Sequence, residues 1–248
     1  MKVRLLENTR LNKDYYLLKF SKEGIEADFQ PGQFVTVKLA QEVPGQRLGI
    51  PISVYQADET SFTLFIKILG QGTRILAQAK ANMELDILGP LGNTFTLAKN
   101  KTVLLISGGV GYPPLRFLKD KLINCQVTWI HGGRCESDIF PCDHPYTEDG
   151  SVGEKGLVTS DLVDILKNQK FDIAYSCGPN PMLKAVAKIL NDYSIPLEVS
   201  LEEYMACGIG VCYGCAVEVV SADSQPLYKR VCKDGPVFNA QEIVWEQD

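Results

Sequence analysis

Residues 101–122 read KTVLLISGGVGYPPLRFLKDKL, and here the chain changes its pattern. Val103, Leu104, Leu105 and Ile106 form a short unbroken apolar run, the signature of a strand buried on both faces. The run ends in Gly108, Gly109 and Gly111, after which Leu115, Leu118 and Leu122 recur at helical spacing. Two more such strands follow at CQVTWIHGG (125–133) and FDIAYSCGP (171–179). NPMLKAVAKILNDY (180–193) is the clearest helix, with Asn180 expected as its cap and Pro181 in its first turn. Met182, Val186, Ile189 and Tyr193 are expected to share its apolar stripe. Strands alternating with helices over 99–200 predict a Rossmann-like parallel α/β domain.

The segment before it, 1–98, has a different habit. SFTLFIKIL (61–69) alternates, with Phe62, Leu64, Ile66 and Ile68 on one face and Thr63, Phe65 and Lys67 on the other. QFVTVKLA and MELDILGPLG repeat the alternation between Pro and Gly turns. About six short strands without a helix predict a small antiparallel β-barrel. After it, residues 201–248 read as a small irregular unit.

Composition narrows the function classes. The chain has 248 residues, 45% hydrophobic and 22% charged, with a formal net charge of −5. No basic field invites nucleic acid or anionic lipid. No stretch reaches the roughly 18 to 20 apolar residues of a membrane span. The start, MKVRLLENTRL, places Arg4, Glu7 and Arg10 where a signal peptide needs its apolar core, so a cytoplasmic location is expected. Eight cysteines are too few for a disulfide scaffold of this length, and in the cytoplasm clustered thiols point to metal or redox chemistry.

Three of those thiols lie in MACGIGVCYGC (205–215): Cys207, Cys212 and Cys215, spaced C-x4-C-x2-C. Cys232 follows after sixteen residues. A zinc ribbon pairs two C-x2-C knuckles and only one is present. The spacing matches a plant-type [2Fe–2S] loop, whose tight wrap around sulfur suits the glycines at 208, 210 and 214. Zinc and unligated thiols are the alternatives. Cys125, Cys135 and Cys142 have no regular ligand spacing with His131 or His144, and plain thiols and imidazoles are expected there.

The two Gly-rich loops, SGGVGYPPL and SCGPNPM, end strands of one parallel sheet, where such sheets bind ligands. SGGVGYPPL alone suits a phosphate or nicotinamide and a plain βα turn equally, the second loop raises the case for a nucleotide, and Cys177 alone reads as a buried small residue. In the barrel, IPIS (50–53) and GQGT (70–73) are short loops whose Ser or Thr and backbone N–H groups suit a flavin, but each alone is more often an ordinary turn.

PGQF, PIS, GQGT, GPLGN, GGVGYPPL and CGPNPM, in that order, resemble the ferredoxin–NADP reductase superfamily. Within it, LEEYMACGIGVCYGCAVEV and VCKDGPVF resemble the electron-transfer subunit of type B (NAD-dependent) dihydroorotate dehydrogenase. The resemblance covers essentially the whole chain, and its specific part surrounds the cysteines. It implies an FAD-binding barrel (1–98), an NAD-binding α/β domain (99–200) and a [2Fe–2S] domain (201–248). It implies FAD contacts from Pro51, Ile52, Ser53, Lys67, Ile68, Leu69, Gly72 and Thr73. It implies a pyridine nucleotide near Gly108, Gly109, Gly111, Cys177, Gly178 and Pro179, and a cluster on Cys207, Cys212, Cys215 and Cys232. NAD carries two electrons as hydride and the cluster carries one, and a flavin exchanges both. The implied partner is a separate FMN-containing catalytic subunit that oxidises dihydroorotate in pyrimidine biosynthesis. Neither a nucleic acid nor a membrane is implied.

The chain departs from the family pattern at three places. Ile50 stands where an Arg usually precedes Pro-Ile-Ser, with Arg47 three residues earlier. Tyr112 replaces a small residue in the glycine loop, and Tyr204 an Arg before MACG. Two other readings remain open from the residues: a flavin/iron–sulfur subunit of a hydrogenase, sulfide dehydrogenase or transhydrogenase, and a zinc-stabilised interaction module without redox chemistry.

Overall fold

The computed structural model describes residues 1–39, 48–221 and 225–245. Six antiparallel strands close a barrel in the order β1-β2-β5-β4-β3-β6. They are β1 (Lys2–Arg10), β2 (Tyr15–Ser21), β3 (Phe34–Lys38), β4 (Ile50–Ala57), β5 (Ser61–Lys67) and β6 (Glu84–Leu91). Closure comes from the pairing of β1 with β6, which leaves no open edge. The inward residues Val3, Leu5, Leu18, Phe20, Val35, Val54, Phe62 and Leu64 fill the interior.

Two expectations for this segment are corrected. It does contain a helix, α1 (Gln71–Ala77), in which the GQGT turn is the first part. Seven residues without a side-chain cap carry too little helical period to stand out, and Leu76 and Ala77 fold onto the barrel core. Phe65, on the nominally outward face of β5, is buried because the second domain packs on it.

The α/β sheet has seven strands in the order β10-β9-β8-β7-β11-β12-β15. In chain order these are β7 (Thr102–Gly108), β8 (Gln126–Gly133), β9 (His144–Thr147), β10 (Glu154–Lys155), β11 (Ile173–Cys177), β12 (Leu197–Ser200) and β15 (Val237–Asn239). Three helices, α2 (Tyr112–Lys121), α3 (Leu162–Asn168) and α4 (Asn180–Asp192), accompany them. All neighbours are parallel except β12 with β15. That last strand comes from the C-terminal segment, after the hairpin β13 (Ala216–Val219) and β14 (Leu227–Arg230). Val219, Val231, Phe238 and Ile243 share a core with Val199 and Leu201, so the cysteine segment is built onto the sheet. Phe95 and Ala98 already pack with Val103 and Leu105.

The α4 expectations shift by a residue. Pro179 occupies the cap position and Asn180 is the first helical residue, its side chain donating to Glu203 Oε1 at 3.3 Å. The buried stripe is Leu183, Val186 and Leu190. Met182 lies at the stripe's edge, against Gly108 and Gly178. Tyr193 stands mostly free of the core.

Barrel and sheet meet across aromatic rings. Tyr15 and Phe65 of the barrel contact Phe140, and Phe65 also contacts Tyr112. Asp138 binds across the same junction, accepting from Tyr15 Oη and Lys67 Nζ, each at 2.7 Å, and from Arg134 N at 3.1 Å. Burial by itself would raise the Asp138 pKa. The bonds from Lys67, Tyr15 and Arg134 outweigh it and hold the carboxyl below its usual range. A paired, ionised carboxylate is the form that can be buried at low cost.

Candidate functional site

Strand order sets the first feature. β8 lies on one side of β7 and β11 on the other, so their loops diverge and leave a crevice at the carboxyl ends. The loop after β7 (108–111) and the loop after β11 (177–179) face each other across it. Gly111 makes that approach possible: a Cβ there would stand 2.1 Å from the Cys177 carbonyl oxygen. Cys177 is buried and its thiol pKa is raised well above normal by burial, so its side chain belongs to the core.

Two cavities open at this level. The first, about 370 Å³, lies between barrel and sheet, bounded by Ile50, Pro51, Ile52, Ser53, Lys67, Leu69 and Thr73. From the sheet side Val110, Glu202, Tyr204 and Met205 complete it. The second, about 530 Å³, runs over the crevice past Gly108, Gly109, Gly132, Arg134, Pro179 and Met182. Four residues, Lys67, Leu69, Val110 and Glu202, border both. The cavities therefore adjoin along one wall.

Of the barrel residues singled out from sequence, Pro51, Ile52, Ser53, Lys67, Leu69 and Thr73 converge on the first cavity. Ile68 packs against the barrel core instead, and Gly72 is buried within α1. Gly108, Gly109 and Pro179 border the second cavity, while Gly111, Cys177 and Gly178 do not line it and instead meet one another in backbone contact. Arg47 lies outside the described residues. Tyr112 does not obstruct either cavity. Its ring turns into the domain junction, stacks on Trp129 at 4.5 Å, and its hydroxyl donates to the Pro141 carbonyl at 3.1 Å.

Glu202 was not identified from the sequence. It is exposed where it borders both cavities, and desolvation by the protein around its carboxyl raises its pKa. It lies two residues after β12, at the carboxyl end of a parallel strand, which is the signal that would have found it. His131 is a satisfied core residue. Its Nε2–H donates to the Asp138 carbonyl at 2.9 Å, so Nδ1 accepts from Ser107 Oγ at 2.8 Å. Ser107 in turn accepts from Trp129 Nε1 at 2.9 Å. Burial lowers the His131 pKa to about 4, which keeps the ring neutral.

The cysteine loop lies beside the first cavity, reached through Tyr204 and Met205. Each of the four sulfurs accepts at least one peptide N–H. Gly210 N donates to Cys232 at 3.1 Å, Val211 N to Cys207 at 3.4 Å, Gly214 N to Cys212 at 3.5 Å and Cys232 N to Cys215 at 3.4 Å. Among the described residues no three metal-ligating side chains gather around one point. The thiols stand as two pairs, Cys207 with Cys212 and Cys215 with Cys232. A structural zinc needs four ligands around one ion, whereas a binuclear cluster takes two thiolates at each iron, so the donor set fits [2Fe–2S]. Backbone N–H bonds, first that of Cys212, draw the Cys207 pKa down to about 6. Burial and the neighbouring Cys215 push Cys232 up to about 12, a proton that metal binding would release.

A barrel beside a switch-point crevice, with a four-cysteine loop against their junction, defines an oxidoreductase of the ferredoxin–NADP reductase fold. The model for the oxidoreductase FAD-binding domain matches residues 2–95. The model for the iron-sulfur cluster binding domain of dihydroorotate dehydrogenase B matches residues 202–244. The electron transfer subunit of dihydroorotate dehydrogenase B (NAD(+)) from Caldanaerobacter subterraneus subsp. tengcongensis is 39% identical, over 99% of this chain and 98% of that protein. The corresponding subunit from Shouchella clausii is 35% identical, over 98% and 97%. This chain belongs to the family of dihydroorotate dehydrogenase B electron transfer subunits. Among solved structures, a chain of the NADH-dependent reduced ferredoxin-NADP oxidoreductase superposes with a TM-score of 0.81 at 28% identity, covering 98% of this chain and 90% of that one. The flavohem-like FAD/NAD binding domain of nitric oxide dioxygenase from Vibrio cholerae O1 biovar El Tor shares the fold, with a TM-score of 0.66 at 17% identity over 80% of this chain and 97% of that one. No helix among the described residues is long and apolar enough to cross a membrane.

Proposed function

We propose that this chain carries electrons between NAD and the FMN-containing catalytic subunit of a cytoplasmic dihydroorotate dehydrogenase, in pyrimidine biosynthesis. The observation that carries the reading is the shared wall of the two cavities, taken with membership of the family. In this reading residues 1–98 hold FAD, 99–200 the pyridine nucleotide and 201–248 the [2Fe–2S] cluster. Pro51, Ile52, Ser53, Lys67, Leu69 and Thr73 hold FAD directly, with Ile68 and Gly72 supporting them. Gly108, Gly109 and Pro179 meet the nucleotide over the backbone of Gly111, Cys177 and Gly178. Cys207, Cys212, Cys215 and Cys232 ligate the cluster.

When bound, FAD exchanges hydride with a two-electron carrier and single electrons with the cluster, and the chain's own residues position and insulate that exchange. Leu69 and Val110 are the apolar members of the common wall, beside the charged Lys67 and Glu202. Lys67 has its ammonium fixed by Asp138 at 2.7 Å. Glu202, with its raised pKa, is suited to hold a proton at the junction of the cavities. On the cluster loop, Ile209, Val211 and Tyr213 are 47%, 73% and 57% exposed, an apolar surface suited to the partner subunit.

The isolated chain should reduce artificial acceptors with NADH, yet oxidise no dihydroorotate until the FMN subunit is added. Steady turnover of dihydroorotate with NAD by the chain alone would overturn the reading. The likeness to the ferredoxin-NADP oxidoreductase favours a second reading, a subunit of an electron-bifurcating or transhydrogenase assembly. The partner that co-purifies separates the two.

Ile50 borders the first cavity at the start of β4. Ile50→Arg should therefore tighten FAD retention by roughly 1.5 to 3 kcal/mol through charge-assisted hydrogen bonds. Dissociation constants from flavin fluorescence check this. Unchanged or weaker retention would mean that another group already fills the role.

A further inference from the structure

Besides the bonds to the sulfurs themselves, the side chain of Arg230 ties the loop carrying Cys207, Cys212 and Cys215 to the segment carrying Cys232. This residue ends β14, two positions before Cys232. Its Nη1 donates to the Gly210 carbonyl at 2.9 Å, and its guanidinium lies 4.9 Å from the Tyr213 ring centroid. It therefore touches the cysteine loop on both sides of Cys212. Asp234 orients it from behind. The Asp234 carboxylate accepts from Arg230 Nε at 2.8 Å, from Nη2 at 3.0 Å and from the Arg230 peptide N–H at 2.8 Å. This is a bidentate fork with a third bond to the backbone, and it leaves Nη1 aimed at Gly210.

The peptide so gripped is Gly210–Val211, and its other end serves a sulfur. Its carbonyl is held by Arg230 while its N–H, that of Val211, donates to Cys207 Sγ at 3.4 Å. The N–H of the preceding peptide, on Gly210 itself, donates to Cys232 Sγ at 3.1 Å. Gly210 adopts a left-handed φ of +80°, and a Cβ there would stand 2.6 Å from the Lys233 side chain. A glycine leaves its flanking peptides free to turn unless other bonds fix them. Arg230 supplies that restraint for the Gly210–Val211 peptide.

We propose that Arg230 is a positioning residue that raises the reduction potential of the [2Fe–2S] centre. It does so by fixing the Gly210–Val211 peptide, whose Val211 N–H is aimed at the Cys207 sulfur, and by placing a cation beside the loop. The inference rests on the assignment of a cluster to the four cysteines. The reduced cluster carries one more negative charge than the oxidised one, so N–H bonds to sulfur and nearby positive charge favour it. Removing the guanidinium would loosen the Val211 N–H bond to the Cys207 sulfur and leave the Asp234 carboxylate unpaired near the cluster. Both effects disfavour the added electron, so the potential falls.

The test uses the full chain with its cofactors, as wild type, Arg230→Met and Arg230→Lys. Iron and sulfide are assayed, and the cluster is titrated against redox dyes with its paramagnetic reduced signal as readout. The expected result is retained iron and sulfide with a negative shift of the midpoint in Arg230→Met, and a smaller negative shift in Arg230→Lys, which keeps the charge but not the fork. A wild-type midpoint in Arg230→Met with the cluster intact overturns the proposal. Should the Met variant lose its cluster, Arg230→Lys decides: an intermediate midpoint supports the proposal and a wild-type midpoint overturns it. Loss of the cluster from the Lys variant also overturns it, because the side chain would then be needed for the loop's fold and not its tuning. Zinc, or an absence of sulfide, in the wild-type chain would sink the cluster assignment itself and so is distinguishable from all of these.

Discussion

Serine in place of Cys232 should yield a chain without its iron–sulfur absorbance, with iron content lower by on the order of tenfold or more. The Cys232 sulfur is buried, paired with Cys215 and bonded by Gly210 N–H. A serine hydroxyl does not ionise near neutral pH and offers a hard oxygen where the site is built for soft sulfur. The same loss is expected for serine at Cys207, Cys212 or Cys215, since each completes one of the two pairs. Serine at Cys125, Cys135 or Cys142 should leave the cluster untouched. Assays of the wild type should return about two irons and two sulfides per chain. One zinc with no sulfide, or a Cys232→Ser chain that keeps its colour, would contradict the assignment.

The second large effect is expected from a single methyl group. In Gly111→Ala the new Cβ would meet the Cys177 carbonyl oxygen at 2.1 Å, its carbon at 2.3 Å and Gly178 N at 2.7 Å. All three are backbone atoms at the end of β11, which pairs with β7 through Ser107 and Cys177. Neither side can give without breaking the ladder. The substitution should cost about 3 kcal/mol or more and spread the two loops at the carboxyl ends of β7 and β11. Gly109→Ala is the control. Gly109 has a φ of +52° and open space around a Cβ, so only the left-handed backbone is penalised, by roughly 1 to 2 kcal/mol. Urea midpoints and NADH affinity measured on both variants test this. Equal losses would mean that loop contact is not what the glycine protects.

These two predictions depend on the sequence to different degrees. Cysteine spacing is covalent and local, so the [2Fe–2S] motif at 207, 212, 215 and 232 could be read without a fold. That the sulfurs stand two and two, and that four peptide N–H groups serve them, is a property of the folded loop. Likewise SGGVGYPPL announced a turn after a strand, but nothing in it said that Gly111 would face Cys177 across the sheet.

What the sequence determined by itself was the class of each segment. Hydrophobic period, glycine punctuation and cysteine spacing act over a few residues, and they led to a barrel, a parallel α/β unit and a cysteine loop in the right order. The short helix α1 escaped because seven residues beside a strand carry almost no period of their own. Tertiary structure decided what meets what. It buried Phe65 and turned Tyr112 away from the cavities, because two domains share an aromatic junction. It gave a C-terminal strand, β15, to the sheet. It brought Glu202 and Lys67, 135 positions apart in the chain, to one wall between two cavities. Such pairings rest on packing between distant segments, and local patterning carries no record of them.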